Sequence, residues 1–476
     1  MVAGSSHDAM PGAWPLVGHF PAYARDPLGF AAAAAASGSV AGVRFGPLPA
    51  LLVSDAASIE EVLVSRHRDF VKGRANQRVG VVVGQGILLS EGETWRRHRR
   101  IVQPAFQHDR VTAWGALMSD EARIAITGWR DGEVRDIHAD MSALALAIVG
   151  RTVLDSAIDD ADVATVQAAA ATLTDHFDSR FNTLAFFVPD SLPTPGNRRM
   201  RAAVRRLDAI VYRLIAERRR SGTRGDDVIS MLLDADGGSG PGSPRPGEAV
   251  QEPATRPEST SAGLSDQEIR DEVMTLFMAG HETTAVALTW TIDLLARAPD
   301  VQATLAAELV RVCGDRPPTV DDVPALHFAE AVVFEALRLY PPAYALSREA
   351  VVPTTIGGRA LSAHGIAFVS LWAAHRRPTV FDEPEAFRPE RWLDGLARRL
   401  PRGAYAPFAE GPRKCIGAGF AMQEMLLALA VIVRDWELQP VDAERPRLRP
   451  AITLRPAGPV RVRMVRRTGV RVARAG

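Results

Sequence analysis

From Ser119 to Leu233 apolar residues recur at intervals of three and four, interrupted at Pro189, Pro193 and Pro195. That period predicts a mainly helical stretch. Ahead of it the period is shorter. Val40 to Phe45 and Leu51 to Ser54 alternate or run apolar around Gly46-Pro47, which reads as a hairpin. Asp55 then caps a helix carrying Ile59, Val62 and Leu63. Val71 to Leu89 is rich in glycine and valine with weak periodicity and reads as a long loop. Residues 1–20, with Pro11, Gly12, Pro15 and Gly18, read as an extended lead-in. At the far end, residues 460–476 form a basic tail in which Val460 to Arg474 alternates valine with arginine and contains no acid. It reads as a final edge strand with one solvated face, the alternative being a basic docking patch.

One helix stands apart. Ser265-Asp266-Gln267-Glu268 is a capping box, with Leu264 and Ile269 placed to staple it. The pattern continues to about Arg297, where Ala298-Pro299 stops it, giving a rod of about 48 Å. Its middle carries Ala279-Gly280-His281-Glu282-Thr283-Thr284, polar where a buried helix is normally apolar. A glycine there weakens a helix by about 1 kcal/mol relative to alanine. Gly280 is therefore read as leaving room for a ligand, with the Thr283 hydroxyl beside it. A packing kink is the plainer alternative. His281 reads as a structural hydrogen-bonding residue turned away from that site.

Composition narrows the class. Hydrophobic residues make up 47% and charged residues 24%, ordinary for a soluble globular chain of 476 residues. The formal net charge is zero, so no global field favours nucleic acid or an anionic membrane. Two cysteines exclude a disulfide framework and fit a reducing, cytoplasmic compartment. No signal peptide is evident, the run Ala31 to Ala36 is a helix fragment, and no uninterrupted apolar stretch reaches about eighteen residues, so no membrane anchor is expected. Residues 237–262 are rich in Gly, Pro, Ser and Glu and read as a disordered insertion.

The chemistry concentrates in Phe408-Ala409-Glu410-Gly411-Pro412-Arg413-Lys414-Cys415-Ile416-Gly417. Two glycines bracket the thiol, which suits a tight turn approaching something flat. An apolar helical run (Phe420, Met422, Met425, Leu426, Leu429) follows, so the helix dipole favours thiolate at Cys415. A thiolate without a cysteine partner needs a cation. A small buried cysteine in an ordinary loop is the alternative, and Cys313 reads that way.

The pattern F-x-x-G-x-R-x-C-x-G resembles the haem-ligand loop of cytochromes P450, a ligation the family is known for. The resemblance runs from Trp95 to Gly417 and implies a mainly α fold with small β-sheets, a single haem domain over residues 1–476. It implies haem b (heme b, iron protoporphyrin IX) with the Cys415 thiolate as metal ligand, cradled by Phe408, Gly411, Arg413, Ile416 and Gly417. Trp95 and Arg99, a W-x-x-x-R pair on one helix face, and Arg348 would contact the haem propionates, where an arginine fork suits a carboxylate. Ala279 and Gly280 would lie beside the haem. A-G-x-E-T-T resembles the oxygen-activation signature, with Thr283 holding the oxygen site and Glu282 relaying protons. Glu335, Arg338 and Arg391 match the E-x-x-R scaffold behind the cysteine loop. Residues 71–89 and His176 to Arg199 would cover the pocket, lined by Ala343 to Leu346 and Ile452 to Leu454. One departure is Arg377, where the family more often carries aspartate, so a local ion pair is missing or reversed.

The implied reaction inserts one oxygen atom from dioxygen into a C–H or C=C bond of a small apolar substrate such as a fatty acid, terpenoid, steroid or polyketide. No flavin-binding segment is recognisable, and Gly417-x-Gly419 is followed by Met422, not a third glycine. The resemblance thus implies ferredoxin and ferredoxin reductase as partners, with NAD(P)H as ultimate donor. The rivals are a peroxide-driven or isomerising haem-thiolate enzyme and a non-catalytic haem binder. The Glu282-Thr283 pair favours the monooxygenase.

Overall fold

The computed structural model describes residues 10–73, 76–154, 160–180, 189, 191–222, 225, 227–234 and 263–467. The insertion at 237–262, most of 181–190 and the end of the basic tail lie outside the described residues. Ten helices of eleven residues or more appear among those described: α1 (Pro27–Ser37), α2 (Gly92–Val102), α3 (Gly115–Thr127), α4 (Ile137–Val149), α5 (Asp160–Arg180), α6 (Pro195–Ser221), α7 (Asp266–Ala296), α8 (Pro299–Cys313), α9 (His327–Leu339) and α10 (Ala418–Asp435).

The polar-capped rod is α7. Ser265 accepts from the Glu268 N–H and Glu268 returns the bond to Ser265, while Leu264 and Ile269 are both buried. It packs on α4, α9 and α10 and is buried along most of its length. Gly280 also admits a close approach by α4, since a Cβ there would stand 2.9 Å from Val149 Cγ2. His281 behaves as read, buried and hydrogen-bonded to the Ser142 backbone. Ile137–Leu154 has the length and mean hydropathy of a membrane span (18 residues, 1.4) but is 61% buried within the protein, as a core helix is.

Strands β1 (Val40–Phe45) and β2 (Leu48–Val53) form the hairpin, paired Phe45 to Leu48 across Gly46-Pro47. They extend into a five-stranded sheet through β8 (Ile366–Ser370), β5 (Ala345–Ala350) and β3 (Phe70–Lys72), ordered β1-β2-β8-β5-β3. Hairpins β6 (Thr354–Ile356) with β7 (Arg359–Leu361) and β10 (Leu448–Pro450) with β11 (Leu454–Pro456) stand separately. Asp55 caps the following helix by accepting from the Ser58 N–H at 3.1 Å.

The mainly helical stretch includes one short strand, β4 (Glu133–Asp136). Two readings are corrected. The basic tail forms β12 (Arg461–Arg466), which is a central strand, between β4 and β9 (Trp436–Pro440), in the order β4-β12-β9. Val462 and Met464 face the core while Arg461 and Arg463 stay exposed. The segment 71–89 opens with part of β3 and contains helical turns at Asn76–Val79 and Gly80–Val83. It is pinned to α7: the Gln85 N–H donates to Asp271 at 2.8 Å, and side chains at Gly84 or Gly86 would collide with Asp271.

Candidate functional site

The site is built from behind. Glu335 and Arg338 lie one turn apart on α9, neither exposed, and pair at 2.8 Å. Glu335 also accepts from Arg391 Nε at 3.0 Å, Trp392 Nε1 at 2.8 Å and the Arg388 N–H at 3.0 Å. Arg338 donates to the carbonyls of His375, Pro384 and Ala386 at 2.6–3.0 Å. Every strong donor is answered, which is what makes a buried pair tolerable. His375 Nε2 in turn accepts from the Ala406 N–H at 3.0 Å, two residues before Phe408. Burial, then Arg338 and Arg376, hold His375 down to about 3, so it is neutral and keeps this acceptor. The scaffold reaches the cysteine loop through that imidazole. Arg376 lies 3.3 Å over the Trp372 ring, and Arg377 points its donors at Gly38 O and the Ser54 hydroxyl in place of an ion pair.

In the loop, the Cys415 N–H donates to Phe408 O at 2.9 Å, closing the turn. Gly411 has φ +71°, and a Cβ there would meet Leu63 O at 2.1 Å, so only glycine fits. Ala409 also takes a left-handed conformation, φ +58°. Ile416 is half-buried against the main core, and Gly417 caps α10. Cys415 is exposed although the fold encloses it on most sides. Burial pushes its thiol up, against the Gly417 N–H, Arg99, Lys72 and Lys414, which favour thiolate. The dipole reading is thus outweighed within the protein alone. A thiolate here needs a cation on its open side.

Four basic side chains are grouped near Cys415 and one another. Arg348, on β5, is buried, hydrogen-bonds only its neighbour Ser347 O (3.0 Å) among the described residues, and is held down to about 10 by burial and Arg413. Arg413 lies 4.1 Å over the Trp95 ring, donates to Ser90 O at 2.9 Å and pairs with Glu91. Arg99 reaches Lys414 O at 3.0 Å, tying α2 to the loop. Lys72 was not singled out in the sequence because the basic residues it meets, Arg348 and Arg413, are far along the chain. Burial, then Arg348 and Arg413, lower its ammonium to about 7, while Glu91 and Cys415 oppose them. Glu91, also missed, accepts from the Lys72 N–H at 2.8 Å instead of capping α2.

On α7, Ala279 is exposed and Met278, Gly280, Glu282 and Thr283 are half-buried, between fully buried runs. Thr283 donates to Ala279 O at 2.7 Å. Glu282 Oε1 accepts from the Thr453 hydroxyl at 3.1 Å and lies 3.3 Å from Arg455 Nε. Between α2 and α7, His98 is 1% exposed and bonds Glu272 at 2.6 Å and Glu268 at 3.3 Å. Burial disfavours its imidazolium, but Glu272 and then Glu268 outweigh it and raise the pKa above 6.5. A raised folded pKa contributes stability below the unfolded value of about 6.5 and loses it as pH rises through the folded one. Native protein is therefore expected to exceed His98→Gln most in urea midpoint at pH 5.5–6, with the gap closing at higher pH. A gap that widens with pH would contradict this.

A thiol in a tight loop beside basic side chains, together with a polar stretch in a long buried helix, fits a haem-thiolate protein. A cytochrome P450 family model matches residues 9–464. The chain is 37% identical to cyclooctat-9-en-7-ol 5-monooxygenase of Streptomyces melanosporofaciens, over 90% of this chain and 89% of that one. It is 33% identical to pentalenene oxygenase of Streptomyces avermitilis, over 90% of each. The crystal structure of the cytochrome P450DA heme domain superposes with a TM-score of 0.82 at 26% identity, covering 96% and 97% of the two chains. The chain belongs to the cytochrome P450 family and is a haem-thiolate monooxygenase. Its residues fit the cofactor: among the described residues three arginines and Lys72, whose ammonium is lowered to about 7, are grouped with the Glu91 carboxylate, and the surplus positive charge suits haem carboxylates, Arg348 above all.

Proposed function

We propose that this chain oxygenates a terpenoid, drawing electrons from a separate ferredoxin and its reductase in the cytoplasm. The carrying observation is the half-buried Glu282-Thr283 pair midway along the otherwise buried α7. The terpenoid class is supported by the two relatives named for terpene products.

Cys415 would hold haem through its thiolate, and the bound haem would supply reductive activation of dioxygen. In this reading Arg348, Arg413, Arg99 and Lys72 hold its carboxylates, and Trp95 holds the Arg413 guanidinium flat. Ala279 and Gly280 form the flat helix surface beside it. Thr283 moves the proton. Its hydroxyl now donates to Ala279 O, so turning toward the pocket gives up a bond worth about 0.5–1.5 kcal/mol. Glu282, one residue away and half-buried, can reload that hydroxyl from solvent.

Thr283→Ala is expected to keep consuming NAD(P)H while product per NAD(P)H falls on the order of ten- to hundredfold and peroxide appears. Thr283→Ser should retain most coupling. Unchanged coupling in the alanine protein would refute the role. The substrate class is tested by titrating sesquiterpene and diterpene hydrocarbons and following the Soret band, then assaying product with ferredoxin and reductase. No shift and no product from any terpene, or product with peroxide but none with NAD(P)H and the redox partners, would overturn the proposal.

A further inference from the structure

Glu282 is gripped from outside its own helix. The Thr453 hydroxyl donates to Oε1 at 3.1 Å, and Arg455 Nε stands 3.3 Å from the same oxygen. Both residues belong to the β10–β11 hairpin, and the residue between them is fixed to α7: Trp290, 1% exposed, donates its indole N–H to Leu454 O at 2.7 Å. The Leu454 N–H donates to Pro342 O at 3.0 Å, and the Tyr344 hydroxyl to Ala451 O at 2.9 Å. The hairpin is therefore a rigid mount.

Behind Arg455 the bonds run in one direction. Arg455 Nη2 stands 3.2 Å from His138 Nε2, which must be an acceptor, since a guanidinium only donates. His138 then carries its proton on Nδ1 and donates to Thr289 Oγ at 3.2 Å. Thr289 donates to Ala285 O at 2.6 Å. The circuit leaves α7 at Glu282 and returns at Thr289, seven residues on. The charged and titratable groups facing His138 are Glu282 and His281 from α7, Arg455 from β11 and Asp136 from the end of β4. Burial is the largest influence, and the balance lowers its pKa, which keeps the ring a neutral acceptor near pH 7.

We propose that Arg455, braced by His138 and assisted by Thr453, is the positioning residue for Glu282, holding one carboxylate oxygen so that the other is free to carry the proton. This rests on the relay reading of Glu282. A free glutamate samples many rotamers, and a mounted one is ordered before the proton is needed. It also follows that acid weakens the mount, because protonated His138 presents an N–H to the guanidinium.

The test uses haem-loaded full-length protein with ferredoxin, reductase and a terpene that shifts the Soret band. Arg455→Gln is expected to lower product per NAD(P)H about fivefold with little change in KM, and Arg455→Lys to recover most of it. The same loss should appear in native protein as pH falls through the His138 pKa. Independently of turnover, nitrogen NMR of histidine-labelled, reduced carbon-monoxide-bound protein should show His138 protonated on Nδ1 only. Arg455→Gln should move its titration to higher pH by removing a cation. If Glu282→Gln couples normally, the relay reading fails and takes this one with it. If Glu282→Gln uncouples while Arg455→Gln does not, or if His138 is protonated on Nε2 at neutral pH, the positioning role alone is overturned.

Discussion

Cys415→Ala protein is expected to fold, to lack the strongly red-shifted Soret band of the reduced carbon-monoxide complex, and to turn over no substrate. The fold should survive because the loop is closed by backbone and not by sulfur: the Cys415 N–H bonds Phe408 O, and alanine keeps that bond. Gly411 still fits under Leu63, and His375 still holds the Ala406 N–H. The sulfur itself is exposed and accepts one protein hydrogen bond, from the Gly417 N–H. Its loss should therefore change apoprotein stability by no more than ~1 kcal/mol. Without a thiolate the cations around the site still attract a haem through its carboxylates, so residual, weakly held haem with an ordinary Soret position is the expected spectrum. Cys415→His should show a histidine-type band instead. A red-shifted band persisting in the alanine protein would remove Cys415 from the metal, and an unfolded apoprotein would show the loop to depend on sulfur after all.

How much of this was legible beforehand depended on how local the determinant is. The long helix was, because its cap and its stop are written within a few residues: Ser265, Glu268 and Pro299 placed α7 to within one residue of its observed end. The cysteine loop was legible for the same reason, as were Trp95 and Arg99 at helical spacing. What failed needed a partner far along the chain. Nothing within Val460–Arg466 says that β4, more than three hundred residues earlier, will cover its second edge. The approach of Val149 to Gly280 was likewise hidden, because the two are 131 positions apart. Lys72 and Glu91 were invisible because each matters through its distance to Arg413 and Arg348. The segment 71–89 was read as loop because its short helical turns owe their place to Asp271, an acceptor supplied by α7.

The largest stability loss is expected at Glu335, which touches no cofactor. Its two oxygens accept from Arg338, Arg391, Trp392 and the Arg388 N–H, and it is wholly buried. Glu335→Ala leaves the Arg338 guanidinium, also wholly buried, with only the carbonyls of His375, Pro384 and Ala386. Removing one partner of a buried pair strands the other charge, at about 3–5 kcal/mol. That is a large share of a typical folding free energy of ~5–15 kcal/mol. The damage should spread in a defined direction. Arg338 fixes the His375 carbonyl, the His375 imidazole fixes Ala406, and Ala406 opens the turn that presents Cys415. Haem retention should therefore fail together with the urea midpoint. The double variant Glu335→Leu with Arg338→Met separates the two causes. It removes both charges, so it should recover part of the stability lost by Glu335→Ala while still losing the carbonyl anchors and releasing haem faster than native protein. If Glu335→Ala instead shifts the midpoint by less than ~1 kcal/mol, the network is redundant, and the cysteine loop is held by its own backbone turn and the packing of α10 alone.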